Sequence, residues 1–245
     1  MLTYYIITNK GERANNEDCA DGIIQGECGC FVLADGLGGH GKGEVASQAV
    51  CMNALAIYNE KKGNHDALEW IFRDSQERLM QLQKDEKAIN EMKTTMVVLL
   101  INEDTIRWGH VGDSRLYYFK KILFKKKLVS HTFDHSVPQA LVDSGEIKQK
   151  EIRHHSDRNR LLRVMGMEWD KPMYTLSDRI KSKKNQAFLM CSDGLWENVE
   201  ESEMEKFLNK ANNVEEWVKM IAEKAFETGK GNNMDNYTAM GIWLE

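Results

Sequence analysis

Four short apolar runs constrain the fold of this chain more than any other feature. They are Phe31-Val32-Leu33-Ala34, Met96-Val97-Val98-Leu99-Leu100-Ile101, Ala187-Phe188-Leu189-Met190-Cys191, and the segment 237–244. Each is too short for a buried helix and rich in strand-forming side chains, so each reads as a buried strand. Segments 107–111 and 115–119 read as neighbours of the 96–101 strand, with Gly112-Asp113 at the bend between them. Between these strands lie amphipathic stretches. In 43–59, Val45, Ala49, Met52 and Ala56 recur at helical spacing; in 65–87, Leu68, Ile71, Phe72, Leu79 and Leu82 share one face. Val214, Trp217, Val218, Ile221, Ala222 and Ala225 mark a third helix closed by Gly229. A short helix starts at Ser136-Val137-Pro138 and ends at Gly145. Strands come in clusters and helices in pairs, without βαβ alternation. The expected class is therefore α+β, antiparallel sheet covered by helices, in a single domain over residues 1–245.

Composition excludes several functions. A net charge of −5 argues against a general nucleic-acid binder. No run approaches the roughly 18 apolar residues of a membrane helix, and the first residues lack a basic start and an apolar leader core. We therefore expect a cytoplasmic protein with no nucleic-acid or membrane partner. Five cysteines, including Cys28-Gly29-Cys30, show no zinc spacing and read as reduced thiols. The lysine run Lys120, Lys121, Lys125, Lys126 and Lys127 flanks Ile122, Leu123 and Phe124, and reads as a solvated hairpin before it reads as a docking patch for an acidic partner.

Aspartates recur where apolar runs end beside a glycine or asparagine: Asp18, Asp35-Gly36, Gly112-Asp113, Asp193-Gly194 and Asp235-Asn236. Taken singly, Asp-Gly is more often a turn than a ligand. Taken together, four of the five groups abut an apolar segment, and only a completed fold gathers them. Carboxylates with a backbone carbonyl and water are hard oxygen donors, suited to Mg2+ or Mn2+. Two such ions lower the pKa of a water held between them and orient it for in-line attack. Phosphate monoesters are among the slowest substrates to hydrolyse unaided, so they need such a centre. Arg13 offers a bidentate fork for phosphate oxygens.

The ordered set Gly11-Glu12-Arg13-Ala14-Asn15-Asn16-Glu17-Asp18, Asp35-Gly36-Leu37-Gly38-Gly39-His40, Thr94-Thr95, Gly109-His110-Val111-Gly112-Asp113-Ser114-Arg115, Asp134-His135-Ser136, Cys191-Ser192-Asp193-Gly194-Leu195-Trp196 and Asp235-Asn236-Tyr237-Thr238 resembles the metal-dependent serine/threonine protein phosphatases, the protein phosphatase 2C-like (PPM) family, in its compact bacterial form. The likeness spans essentially the whole chain. It implies a four-layer α-β-β-α sandwich of two antiparallel sheets flanked by helices. It also implies hydrolysis of phosphoserine and phosphothreonine in proteins with two Mn2+ or Mg2+ ions and a possible third. Asp35 would bridge the two metals, with the Gly36 carbonyl as a further ligand. Asp18 would serve one metal, with Glu17 holding its waters, and Asp193 and Asp235 the other. Asp113, with Asp193, corresponds to the third site, and Arg13 would grip the phosphate.

Departures from the family pattern also carry meaning. Leu37 stands where some relatives have a histidine proposed as general acid, and His40 is a substitute candidate. Lys93 replaces a glycine and is expected to disturb a nearby turn. Ser156 and Leu162 replace a proline and a threonine in the segment from roughly 145 to 162, where relatives carry a mobile flap. Such an enzyme acts on phosphoprotein substrates as the counterpart of a serine/threonine kinase, with a monomer as the expected state. Two other readings remain at this point: hydrolysis of small phosphorylated metabolites, and a non-catalytic signalling module on the same fold.

Overall fold

The computed structural model describes residues 1–37, 42–61, 67–89 and 91–245. Its strands form two antiparallel sheets. The first orders β1 (Leu2–Asn9), β12 (Tyr237–Leu244), β11 (Gln186–Cys191), β7 (Arg115–Ile122) and β8 (Lys125–His131) side by side. The second orders β10 (Ile180–Lys181), β6 (Thr105–Val111), β5 (Met96–Ile101), β3 (Cys28–Leu37) and β2 (Asp18–Gln25), with β4 (Lys93–Thr94) on β3 and β9 (Thr175–Leu176) on β6.

The apolar runs are explained by what lies on each side of them. Along β3, Phe31 and Leu33 point into the core between the sheets, while Cys30, Val32 and Ala34 point outward beneath helices. Along β5 the division repeats: Val97, Leu99 and Ile101 face inward, and Met96, Val98 and Leu100 face outward. A strand covered on both faces has no polar side to alternate with. The covering helices are α1 (Lys42–Lys61) and α2 (Ala67–Asp85) on one sheet, and α5 (Glu201–Lys210) and α6 (Val214–Gly229) on the other. Shorter elements are α3 (Val137–Asp143), a 3-10 helix (Gln149–His154) and α4 (Asp193–Trp196). The four-layer α-β-β-α expectation therefore holds.

Several local expectations are corrected. Helix α1 forms, but on the opposite face from the one expected. Val45 and Met52 are 40% and 73% exposed, whereas Ala46, Val50, Ala54 and Ile57 pack on β3. The helix carries apolar residues on most sides, so apolar identity does not select the buried face; small residues allow the close approach. The second helix is described from Ala67, and His65 lies outside the described residues. Strand β3 continues through Asp35 and Gly36 to Leu37 rather than stopping at the aspartate. Lys93 disturbs no turn: it pairs in regular register with Leu37. Strands β1 and β2 and helix α5 were not anticipated at all. The five cysteines are free thiols.

Candidate metal centre

The expected carboxylates converge because antiparallel pairing brings them to one end of both sheets. Asp18 opens β2 and lies directly opposite Asp35 near the end of β3. Asp113 sits in the turn between β6 and β7, Asp193 follows β11, and Asp235 precedes β12. Arg13, Glu17, Asp35, Gly36, Asp113, Asp193 and Asp235 line one cleft of about 440 Å3, together with Leu37 and with Asn159 and Leu161 of the 145–162 segment. Asp18 is buried beneath it. His40 lies outside the described residues.

Hydroxyl and amide side chains fix this arrangement. Asp18 Oδ2 accepts from Ser192 Oγ and Thr238 Oγ1, both at 2.7 Å. Thr94 and Thr95 hold the Asp35 backbone: Thr94 Oγ1 donates to the Asp35 carbonyl at 2.8 Å, and the Asp35 N–H donates to Thr95 Oγ1 at 2.9 Å. Thr95 Oγ1 is 2.7 Å from Ser114 Oγ, tying Asp35 to the Asp113 turn. The Trp196 indole N–H donates to the Asp113 carbonyl at 3.0 Å, linking that turn to the helix carrying Asp193. Arg115, paired twice with Asp134 at 2.7 and 2.8 Å, lies 3.5 Å over the Trp196 ring. Asn236 completes the frame, accepting from Glu17 N–H and donating to the Lys10 and Asn15 carbonyls.

Two glycines are required by close approach. A Cβ at Gly36 would lie 2.3 Å from the Gly43 carbonyl oxygen, and one at Gly194 would lie 2.1 Å from that of Asn236. Both distances are within bonded-clash range, so no side chain fits where the Asp35 and Asp193 segments meet their neighbours.

The electrostatics are those of buried anions crowded together, with Arg13 pairing only Asp235 among them. Burial, opposed by the two hydroxyl bonds, raises Asp18 to about 6. Burial and then Asp134 raise Asp113 to about 7. Asp35 and Asp193 are pushed well above the carboxylate range, first by burial and then by the neighbouring aspartates. Burial, Asp235 and Glu44 raise Glu17. Asp18 Oδ1 is buried with no hydrogen-bond partner. An orphaned carboxylate oxygen among mutually repelling carboxylates is what a cation would satisfy; the donor types suit a hard divalent ion, although among the described residues no three acidic, His or Cys side chains are placed to hold one together. Arg13 forms a bidentate pair with Asp235, Nε to Oδ1 at 3.0 Å and NH2 to Oδ2 at 2.9 Å. The 145–162 segment, expected to be a flap, is held by Arg158 on Glu197 at 2.6 Å and by Arg153 on Glu201 and the Val199 carbonyl.

The family model for protein phosphatase 2C matches residues 9–228. The chain belongs to the protein phosphatase 2C family. Among its family relatives is the serine/threonine phosphatase stp of Listeria welshimeri, 30% identical over 236 residues, covering 93% of this chain and 91% of the relative. The serine/threonine protein phosphatase PstP of Mycobacterium tuberculosis is 31% identical over 203 residues, 81% of this chain and 37% of PstP. Among solved structures, M. tuberculosis PstP superposes with a TM-score of 0.84 at 29% identity, covering 100% of this chain and 99% of that one. Staphylococcus aureus Stp1 gives 0.86 at 27%, covering 100% and 96%. A PstP catalytic domain in complex with two manganese ions gives 0.81 at 28%, covering 99% and 98%.

Ser192, Thr238, Ser114, Trp196 and Asn236 had no assigned role in the sequence reading. All five sit within three residues of an expected aspartate, which is the signal that would have found them.

Proposed function

We propose that this chain is a protein-serine/threonine phosphatase whose catalytic domain spans residues 1–245 and depends on Mn2+ or Mg2+. The observation that carries the reading is the buried, partnerless Oδ1 of Asp18, paired across the sheet with Asp35, which lines a cleft together with Asp113, Asp193 and Asp235. Divalent cations held there supply Lewis-acid chemistry, lowering the pKa of bound water and offsetting charge on phosphoryl oxygens. Asp35, the Gly36 carbonyl, Asp18, Asp193 and Asp235 would hold the two cations, with Glu17 beside Asp18 holding waters. Asp113, tied to the Asp193 helix through Trp196, would hold a third together with Asp193. Arg13 and Asp235 neutralise each other as placed; a cation held by Asp235 would compete with that pair and leave the Arg13 fork to the substrate phosphate. Arg13 then orients the ester, and the Ser192 and Thr238 hydroxyls hold Asp18 ionised and aimed. The substrates are phosphoproteins, the enzyme opposes a serine/threonine kinase, and it acts as a monomer.

The test compares phosphate release from phosphothreonine peptides and from small phosphorylated metabolites, with manganese and with chelator. We expect manganese-dependent turnover favouring the peptides and abolished in a folded Asp193→Ala variant. Turnover indifferent to chelation or to that substitution would refute the metal assignment. A preference for metabolites would refute the substrate class.

A further inference from the structure

The β7–β8 hairpin ends in an apolar tip that the phosphatase reading does not use. Ile122 pairs with Lys125, leaving Leu123 and Phe124 as a two-residue turn. Leu123 is 84% exposed and Phe124 93% exposed, with Ile122 partly exposed beside them. Leu123 has φ +57, a conformation in which such turns favour glycine. The turn thus keeps two large apolar side chains in water where Gly-Ser would close the hairpin more easily.

Positive charge surrounds the tip. Lys120, Lys121 and Lys125 make no ion pair among the described residues, while Lys127 is paired with Glu205 and Lys126 lies 3.5 Å over the Trp243 ring. The adjacent β10–β11 turn adds Lys183 and Lys184, and is joined to the hairpin by the Lys121 N–H bond to the Asn185 carbonyl. Acidic groups near this region are Glu205, and Glu27, Glu103 and Glu245, which share a small cavity with Lys183 and Lys184; Glu245 also acts on Lys126. In a chain of net charge −5, this is a local reversal of sign.

We propose that this hairpin docks the protein on an anionic lipid bilayer, with Leu123 and Phe124 entering the headgroup region and the lysines meeting lipid phosphates. Charge complementarity and shape both favour a bilayer. The tip is convex and offers three consecutive apolar side chains, far less than the roughly 1,200 Å2 of a specific protein interface. A soft anionic surface needs only a few inserted side chains and a basic collar. Position agrees: β7 begins beside Asp113 and ends at Ile122, seven residues and about 23 Å away at strand rise. Docking by the tip therefore leaves the cleft open. The sequence reading expected no membrane partner; a surface contact needs no membrane-spanning segment, and no helix among the described residues is long and apolar enough to span one.

The test is co-sedimentation of the full chain with vesicles of phosphatidylcholine plus phosphatidylglycerol, and with phosphatidylcholine alone. We expect binding to the anionic vesicles only, falling about fivefold per lysine when Lys120, Lys121 and Lys125 are changed to Gln one at a time. The pair Leu123→Gly with Phe124→Ser should weaken binding at least about tenfold. That pair suits the turn, so an unchanged melting temperature and unchanged peptide turnover in solution would exclude misfolding as the cause. Absence of binding to anionic vesicles, or binding that the tip variant retains, would overturn the proposal. Binding of a poly-glutamate chain but not vesicles would assign the patch to an acidic protein, and would overturn it equally.

Discussion

Replacing Asp113 by Asn should stabilise the metal-free protein, because its carboxylate is held where burial and Asp134 oppose its charge. The group titrates near 7 in the fold against 3.8 for an ordinary aspartate. At ~1.36 kcal/mol per pH unit, ionising it at pH 8 costs the fold about 4 kcal/mol. The sign follows from the raised value. Below about pH 4 the group is protonated in both states and costs nothing; the penalty grows as pH rises and is complete above about 7. Neighbouring groups relax in part, so an Asn at this position should recover about 2–4 kcal/mol at pH 8. In a chain of this size that corresponds to a rise of roughly 4–16 °C in Tm. The assay is thermal unfolding in chelator from pH 8 down to pH 5. Wild type should gain stability on acidification, and the gap to Asp113→Asn should narrow to about 1 kcal/mol at pH 5. An Asn variant that melts at or below wild type at pH 8, or a wild type indifferent to pH, would refute the reasoning.

Three further outcomes follow from the same geometry. Gly194→Ala puts a Cβ 2.1 Å from the Asn236 carbonyl oxygen; thermal unfolding should show a loss of about 1–3 kcal/mol, and manganese-dependent turnover should fall with it. Thr238→Val removes one of the two hydroxyls on Asp18 Oδ2, and calorimetric titration should show manganese binding weakened by about 10–100-fold. Arg13→Lys keeps the charge but loses the fork, so kcat/KM on phosphopeptides should drop by about 10–100-fold, with a rise in KM contributing.

What the sequence made legible depended on whether one segment carried its own signal. Helix α6 was readable residue by residue because Val214, Trp217, Val218, Ile221, Ala222 and Ala225 all face one core. Helix α1 was readable as a helix but not in orientation, since its buried face is set by Ala46, Val50 and Ala54 fitting closely on β3 rather than by contrast with a polar face. Strand β2, Asp-Cys-Ala-Asp-Gly-Ile-Ile-Gln, contains two aspartates and a glycine; pairing with β3 makes it a strand, and that is a tertiary fact. Helix α5 buries only Met204 and Leu208, too little for a period to show. At the site, the aspartates were legible because chemistry demands carboxylates. The Arg13–Asp235 pair was not, because 222 residues separate its members and nothing local joins them. Ser192 and Thr238 were hidden for a similar reason: a hydroxyl earns its role only from the carboxylate it happens to reach.

The central claim is that these carboxylates form one centre for two divalent cations, and paramagnetic titration of manganese into the metal-free protein tests it most directly. The account predicts that two manganese ions per chain lose their free-ion signal, and that a folded Asp35→Asn variant fails to retain both. Free-ion signal at full strength from the first addition, or the same two ions bound without the Asp35 carboxylate, would contradict it.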